Sequence, residues 1–310
     1  MSTLSRRDWL LSASALVAQS RLLAQEKLVA KPIPATGEKI PVIGLGSSAT
    51  FSQVARREDV DALREVMKTL VAQGATVFDT APGYGASEEV AGRIASEEKL
   101  TDKIFWATKL NVARGNGSAD PAAAKVQIET SFNRIKKPKI DLIQVHNMGD
   151  PATQLPILRE LKAAGRIRYL GITTTFPNQY ESLIKVMKSE TLDFVGINYA
   201  VDDRDVEQII LPLALDRKIA VLAYAPFGRT RLFRRVGDRP VPDWAADFNA
   251  KTWAQFFLKF VVSHPAITAA TPATSQGKNM LDNIGGGIGK LPDEATRKKM
   301  AAFVESLPSA

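Results

Sequence analysis

The sequence predicts an α/β fold, a (β/α)8 TIM barrel with an N-terminal β-hairpin and an appended C-terminal helix. Three observations carry this expectation. Short apolar runs alternate eight times with amphipathic runs from Lys39 onward. The apolar runs are apolar on both faces, as a parallel sheet covered by helices requires. The chain has 310 residues, and eight strand–helix units need roughly 250. A doubly wound sheet is the alternative arrangement of the same units.

Residues 1–25 stand outside those units. Ser5-Arg6-Arg7-Asp8-Trp9-Leu10 is a twin-arginine pattern, and the apolar run 9–18 follows it. That run is too short and too serine-rich to span a bilayer and reads as the core of a signal peptide. No clean small-x-small cleavage site follows; a cut after Ala24 is the working boundary. The expectation is export through the twin-arginine machinery, to the periplasm or another exported location, with residues 26–310 as one soluble domain. No other run is long enough to span a membrane.

The elements follow in order. Residues 27–33 and 38–40 flank Ala35-Thr36-Gly37 and read as a hairpin capping the barrel bottom. Residues 40–45 read as a strand. Residues 59–72 read as a helix, with Val60, Leu63, Val66, Met67 and Leu70 on one face. Strand 76–78 precedes helix 88–96. After strand 103–108, Asp120-Pro121 starts a helix to about 135, with Asp as cap and Pro at the first position. Strand 140–145 leads to helix 155–164, ended by Gly165. Strand 168–173 pairs with helix 177–188, and strand 194–198 with helix 205–215. Strand 220–225, a long basic loop and helix 246–262 form the seventh unit. Strand 266–270 and the short helix 279–284 form the eighth, and 293–306 is the appended helix.

Composition narrows the function. Hydrophobic residues at 45% and charged residues at 24% are ordinary for a soluble globular chain. The net charge of +8 is diffuse except around residues 229–239. It lacks the interleaved basic and aromatic residues of a nucleic-acid surface, so no nucleic-acid partner is expected. There is no cysteine. This excludes disulfides, thiolate metal sites and cysteine nucleophiles, and suits an oxidising compartment. No metal site is expected.

In a barrel of this kind the site lies at the carboxyl ends of the strands. Those ends carry Gly46-Ser47, Asp79, Lys109, His146, Thr173-Thr174, Asn198 and Tyr224. Tyr84 follows Asp79 by five residues in a Pro-Gly turn. Singly, each has an ordinary use: an aspartate caps a helix, a turn tyrosine packs, a lysine is solvated, a histidine sits satisfied in a core. Together they place an acid, an ammonium, an imidazole and two phenols on one rim. His264, the other histidine, reads as a helix-end residue and receives no role. Two glycine runs imitate nucleotide motifs. Gly44-Leu45-Gly46-Ser47-Ser48-Ala49 fits a loose dinucleotide fingerprint, but no helix begins at once, so it reads as the first barrel loop. Residues 285–290 lack the first glycine and the Ser/Thr of a phosphate loop and read as a flexible connection.

Several segments resemble the aldo-keto reductase family. They are Asp79-Thr80-Ala81-x-x-Tyr84-Gly85 with Glu88 and Gly92, Thr108-Lys109, Gln144-Val145-His146-Asn147, Gly165-Arg166-Ile167-Arg168-Tyr169-Leu170-Gly171, and Ala223-Tyr224-Ala225-Pro226-Phe227-Gly228. The resemblance covers about residues 38–305. It implies an NAD(P)H-dependent oxidoreductase that reduces an aldehyde or ketone, or oxidises the matching alcohol, with Asp79, Tyr84, Lys109 and His146 as the catalytic residues. The chemistry is coherent. A carbonyl that accepts hydride at carbon needs a proton at oxygen. Tyr84 is the donor, Lys109 lowers its pKa from about 10, Asp79 holds Lys109 charged, and His146 polarises the carbonyl.

The resemblance also implies a nicotinamide cofactor lying across the rim, with NADP(H) favoured and NAD(H) the alternative. Gly46, Ser47, Asp79, Thr173, Thr174 and Asn198 would contact it, and Tyr224 would stack on the nicotinamide. Ala225, Pro226, Phe227, Gly228, Arg229 and Arg231 would cover the pyrophosphate. Pro272, Ala273, Thr274, Lys278, Asp282 and Asn283 would hold the adenosine end. The chain departs from the family's pattern at four places. Ala273 replaces a basic residue and Asn279 replaces the arginine that grips a 2′-phosphate. Thr173-Thr174 replaces a Ser-Asn pair, and Gly196 replaces a glutamine. Arg229, Arg231, Arg234 and Arg235 are offered as substitutes for the lost charge. Phe51, Trp106, Met148 and residues 229–244 are expected to line the substrate pocket. Two other classes of function stand beside the reductase: an exported cofactor-binding redox sensor with little turnover, and a lyase using Lys109 as a Schiff base.

Overall fold

A computed structural model gives the fold and describes residues 27–56, 60–113 and 117–308. The twin-arginine segment and its cleavage boundary lie outside the described residues. Strands β1 (Ala30–Pro32) and β2 (Lys39–Pro41) pair antiparallel, Lys31 opposite Ile40. Eight parallel strands follow: β3 (Leu45–Gly46), β4 (Val77–Asp79), β5 (Phe105–Leu110), β6 (Ile140–Val145), β7 (Ile167–Thr174), β8 (Phe194–Asn198), β9 (Ala220–Tyr224) and β10 (Ile267–Ala270). They hydrogen-bond in chain order. The sheet closes on itself, because Gly44 N donates to Ala270 O at 2.8 Å and Gly46 N to Pro272 O at 3.0 Å. Closure leaves the parallel sheet no exposed edge.

Helices cover the outside: α1 (Thr50–Val54), α2 (Asp61–Ala72), α3 (Ser87–Glu97), α4 (Pro121–Ile135), α5 (Pro151–Ala163), α6 (Tyr180–Ser189), α7 (Ile210–Asp216), α8 (Arg231–Val236), α9 (Trp253–Ser263), α10 (Gly277–Gly285) and α11 (Glu294–Ser306). Two apolar layers result. One lies between helices and sheet and includes Phe78, Trp106, Ile143 and Ile172. The other fills the barrel interior with Val77, Phe105, Leu142, Tyr169, Phe194 and Leu222, and the hairpin closes its floor with Ile33 and Ile40. Each fully buried aliphatic or aromatic side chain contributes about 1.5–3 kcal/mol.

The fold and the hairpin match the expectation from sequence, and four boundaries differ for local reasons. The run 40–45 divides, because Pro41 has no amide hydrogen with which to extend a ladder; β2 ends there and β3 begins at Leu45. Asp150 caps α5 by accepting from Thr153 N at 3.3 Å, with Pro151 at the first position. This is the Asp-Pro signal that also starts α4, so α5 begins earlier than residue 155. Pro212 confines α7 to Ile210–Asp216, with a separate 3-10 turn at Asp205–Glu207. Residues 246–262 become a 3-10 turn at Asp243–Phe248 and then α9, capped by Thr252. The basic loop contains α8. Residues 285–289 are packed rather than loose: a Cβ on Gly286 would lie 2.6 Å from Leu258 Cβ, and one on Gly287 2.6 Å from Leu28 Cδ1.

Candidate active site

Side chains alternate in and out along each strand. Val77, Ala107, Leu142, Phe194 and Leu222 fill the barrel interior. Two residues further along the same strands stand Asp79, Lys109, Gln144, Gly196 and Tyr224. The inner face of the barrel thus turns from apolar to polar in a single layer at its carboxyl end. Another two residues bring His146 and Asn198 to the rim.

Asp79 and Lys109 form a buried ion pair. Lys109 Nζ donates to Asp79 Oδ2 at 2.7 Å and to the Thr80 carbonyl at 2.8 Å. Their side chains are 5% and 2% exposed respectively. Burial acts to lower the Lys109 pKa, but the Asp79 carboxylate and the Tyr84 phenol outweigh it and leave it above 10.5. Burial pushes Asp79 upward against the opposing pull of Lys109 and a hydrogen bond from Tyr224. The Lys109 amine is therefore charged and engaged, the wrong state for a Schiff-base nucleophile.

Lys109 Nζ lies 4.9 Å from the Tyr84 ring centroid. The expected downward pull of Lys109 on Tyr84 is present, as is one from Arg229. Burial exceeds both, with Asp79 adding to it, so the Tyr84 pKa lies above 10. The phenol therefore carries its proton throughout the neutral range. His146 Nε2 stands 3.5 Å from Tyr84 Oη, the two rings edge to face. Burial and then the Lys109 charge depress the His146 pKa to about 3, so the imidazole is neutral.

The turn after β6 fixes that imidazole. Asn147, Met148 and Asp150 all have left-handed φ, at 51°, 56° and 43°. Such backbone persists only when neighbours over-determine it. Asn111 Nδ2 donates to His146 O at 3.1 Å, Asn147 N donates to Thr173 Oγ1 at 3.1 Å, and Gln179 Nε2 donates to Asn147 O at 3.2 Å.

The four residues line one cavity of about 850 Å³. Gly46, Thr173, Asn198, Tyr224, Ala225, Pro226, Phe227, Arg229, Ala273, Thr274, Asp282 and Asn283 are in its wall, as expected. Ser47, Thr174, Gly228, Arg231, Pro272 and Lys278 are not. Strand alternation explains two of these: the neighbours Gly46 and Thr173 face the cavity, while Thr174 turns its hydroxyl to Gln179. Arg231 is held by both oxygens of Asp202, at 2.8 and 2.9 Å. Arg234 bonds Thr230, and Arg235 bonds the carbonyls of Glu305 and Leu307. Of the four arginines offered as substitutes, Arg229 alone reaches the wall.

Of the residues expected to line the substrate pocket, Phe51, Trp106 and Met148 stand outside the cavity wall, whereas Arg229, Thr230 and Phe233 of the loop 229–244 stand in it. Phe51 and Trp106 are fully buried, joined through Phe78 at centroid distances of 5.3 Å. Trp106 points out of the barrel because Ala107 and Lys109 point in. Met148 packs against the outer core and is also outside the wall. Phe233, 37% exposed, is joined in the wall by Phe176, 47% exposed, which was not among the expected residues. Gln144 was missed as a site residue. The signal was available, since Gln144 precedes His146 by two on an inward-facing register.

The wall suits a dinucleotide. Asn198 Oδ1 and Thr271 Oγ1 are buried acceptors without a partner in the protein. Buried polar atoms are rarely left so, and both residues are in the wall. They call for a ligand with N–H or O–H groups, which a carboxamide and a ribose carry. Among the described residues, no group of three or more acidic or histidine side chains could hold a metal ion, and no helix is long and apolar enough to cross a membrane.

The sequence profile of the Aldo/keto reductase family matches residues 42–298. An aldo-keto reductase of Bacillus subtilis is 31% identical over 204 residues, 63% of this chain and 60% of that protein. A solved aldo-keto reductase from Bacillus halodurans superposes with a TM-score of 0.71 at 20% identity, covering 91% of this chain and 97% of that one. One from Klebsiella pneumoniae in complex with NADPH has a TM-score of 0.70 at 23% identity, covering 89% and 96%. The closed eight-stranded barrel and the family match together establish that the chain belongs to the aldo/keto reductase family of NAD(P)-dependent oxidoreductases.

Proposed function

We propose that the chain reduces an aldehyde or ketone with NADP(H), with Tyr84 as proton donor and Lys109, Asp79 and His146 as its partners. The observation that carries this reading is the buried Asp79–Lys109 pair set against the Tyr84 ring, with neutral His146 3.5 Å from the phenol oxygen. When bound, the nicotinamide supplies the hydride that reaches the carbonyl carbon. His146, with its proton on Nε2, donates to the carbonyl oxygen and polarises it. Tyr84 passes its proton to that oxygen as the alcohol forms. The resulting phenolate is stabilised by the Lys109 ammonium and regains a proton from solvent. The same groups run alcohol oxidation in reverse, with Tyr84 as base.

Asn198 and Thr271 would hold the nicotinamide end through their unpartnered oxygens, Arg229 the pyrophosphate, and Asp282 and Asn283 the adenosine end. NADP(H) is supported by the Klebsiella pneumoniae reductase, which was solved with NADPH. NAD(H) is the alternative, because Asn279 is uncharged and Lys278 lies outside the wall. Export through the twin-arginine route is part of the proposal, supported by Arg6-Arg7 and the apolar run after them.

Replacement of Tyr84 by Phe tests the reading. Turnover of an aldehyde should fall by about 10²–10⁴-fold, while quenching of intrinsic fluorescence by NADPH, and its strength relative to NADH, stays as in the parent. Parental turnover in the variant would remove Tyr84 from the mechanism. Quenching without turnover of any carbonyl by the parent would favour the sensor reading.

A further inference from the structure

Tyr224 is turned inward. It is in the cavity wall, and its hydroxyl reaches the Asp79 carboxylate of the ion pair. Gln144 Nε2 donates to Tyr224 Oη at 3.0 Å, and Tyr224 Oη donates to Asp79 Oδ1 at 3.2 Å. The direction of these bonds is determined. A carboxylate offers only lone pairs, so the single phenol hydrogen goes to Asp79, and Gln144 must then present an N–H. Gln144 is fully buried, and its Oε1 has no partner in the protein. Each oxygen of Asp79 thus has its own donor, Lys109 on Oδ2 and Tyr224 on Oδ1.

The inward position depends on Gly196. A Cβ built there would lie 2.5 Å from Tyr224 Oη and 2.7 Å from Cζ, far inside van der Waals contact. Gly196 has no positive φ, so no backbone strain calls for glycine at this place in β8. The absent side chain is the space the phenol occupies.

We propose that Tyr224 is a positioning residue of the proton-transfer site, its hydroxyl holding the Asp79 carboxylate in a place that Gly196 leaves open. The inference rests on the reading of Tyr84 as proton donor. The Tyr224 hydroxyl acts through Asp79. It fixes the rotation and the negative charge of Asp79, Asp79 fixes the Lys109 ammonium, and Lys109 stabilises the Tyr84 phenolate. Burial, Asp79 and Tyr84 hold the Tyr224 proton far above the ordinary phenol range, so the donor persists wherever the enzyme works. The titratable groups facing Tyr84 are Lys109, Asp79, Arg229, His146 and Tyr224 itself.

Tyr224→Phe keeps the ring and removes the hydroxyl. Without that donor, Asp79 becomes more basic and draws more of the Lys109 proton, so Tyr84 loses part of its cationic support. With 4-nitrobenzaldehyde and NADPH, the basic limb of the kcat/KM profile should move up by about half a pH unit or more, a roughly threefold change in phenolate ratio. The Tyr84 step in tyrosinate absorbance, taken as the difference between each form and its Tyr84→Phe counterpart, should move the same way without any turnover. Gly196→Ala should reproduce both shifts in a chain that keeps Tyr224, and should add nothing in the Tyr224→Phe background. If Tyr84→Phe is inactive while Tyr224→Phe keeps the parental limb and tyrosinate step, the Tyr224 assignment is overturned and the donor reading stands. If Tyr84→Phe turns over like the parent, both are overturned.

Discussion

Asp79→Asn removes one charge from the site and almost nothing of its shape. Lys109 Nζ then keeps the Thr80 carbonyl at 2.8 Å as its strong acceptor, in a place where its side chain is 2% exposed. Loss of one partner from a buried ion pair costs about 3–5 kcal/mol. Without the Asp79 carboxylate, the Lys109 pKa should fall from its present position above 10.5. Burial then dominates, and the amine releases its proton below the ordinary lysine range. The sign of the stability change follows. In the parent the folded pKa of Lys109 is raised, so its contribution is complete below about 10.5 and is lost only as pH rises through the folded value. In Asp79→Asn the folded pKa is depressed, so the unfolded chain binds more protons between that depressed value and about 10.5, and stability climbs with pH across that window. The assay is urea denaturation of both forms at several pH values, with kcat/KM for carbonyl reduction beside it. At pH 7 the variant midpoint should drop by on the order of 10 °C in a thermal scan. Its urea midpoint should rise toward pH 10 while the parent's stays level. A variant with the parent's midpoint and pH dependence would refute the reasoning, since Asp79 would then not be what keeps Lys109 charged.

Two more outcomes can be measured. Burial, then Arg297, depresses the His264 pKa to about 4, so the neutral form is the one that fits and its contribution is complete above about 6.5. It is lost as pH falls from there toward about 4, and His264→Gln should flatten the parent's decline in denaturation midpoint over that range. His146, depressed to about 3, remains in the variant and leaves a residual slope. Changing Arg6 and Arg7 both to Lys should hold the chain in the cytoplasmic fraction of its host, whereas the export proposal expects the parent in the periplasmic fraction; equal distribution of the two would end that proposal.

The barrel was legible because its evidence is local and repeated. Eight apolar runs alternate with amphipathic ones, and helix starts such as Asp120-Pro121 declare themselves through capping chemistry. The residues proposed for proton transfer were legible because Asp79, Lys109 and His146 stand at strand ends and Tyr84 in the turn after one, and a barrel sends every strand end to one rim. Trp106 was misassigned although its parity was available: inward Lys109 makes Ala107 inward and Trp106 outward. The arginines are a different case. Nothing near Arg231 in sequence announces Asp202, 29 positions away, and nothing near Arg235 announces the carbonyls at the end of α11.

The sequence alone determined the fold, the family and the order of Asp79, Tyr84, Lys109 and His146, because periodicity and strand-end position are properties of the chain. The tertiary structure alone decided which neighbours complete them. It showed that burial outweighs the pull of Lys109 on Tyr84, and that of Arg229, Arg231, Arg234 and Arg235 it is Arg229 that stands in the cavity wall. It also showed that Tyr224 leans into the space over Gly196 to reach Asp79. Those facts depend on desolvation and on contacts between strands that closure of the sheet brings together, and neither is encoded in any one stretch of residues.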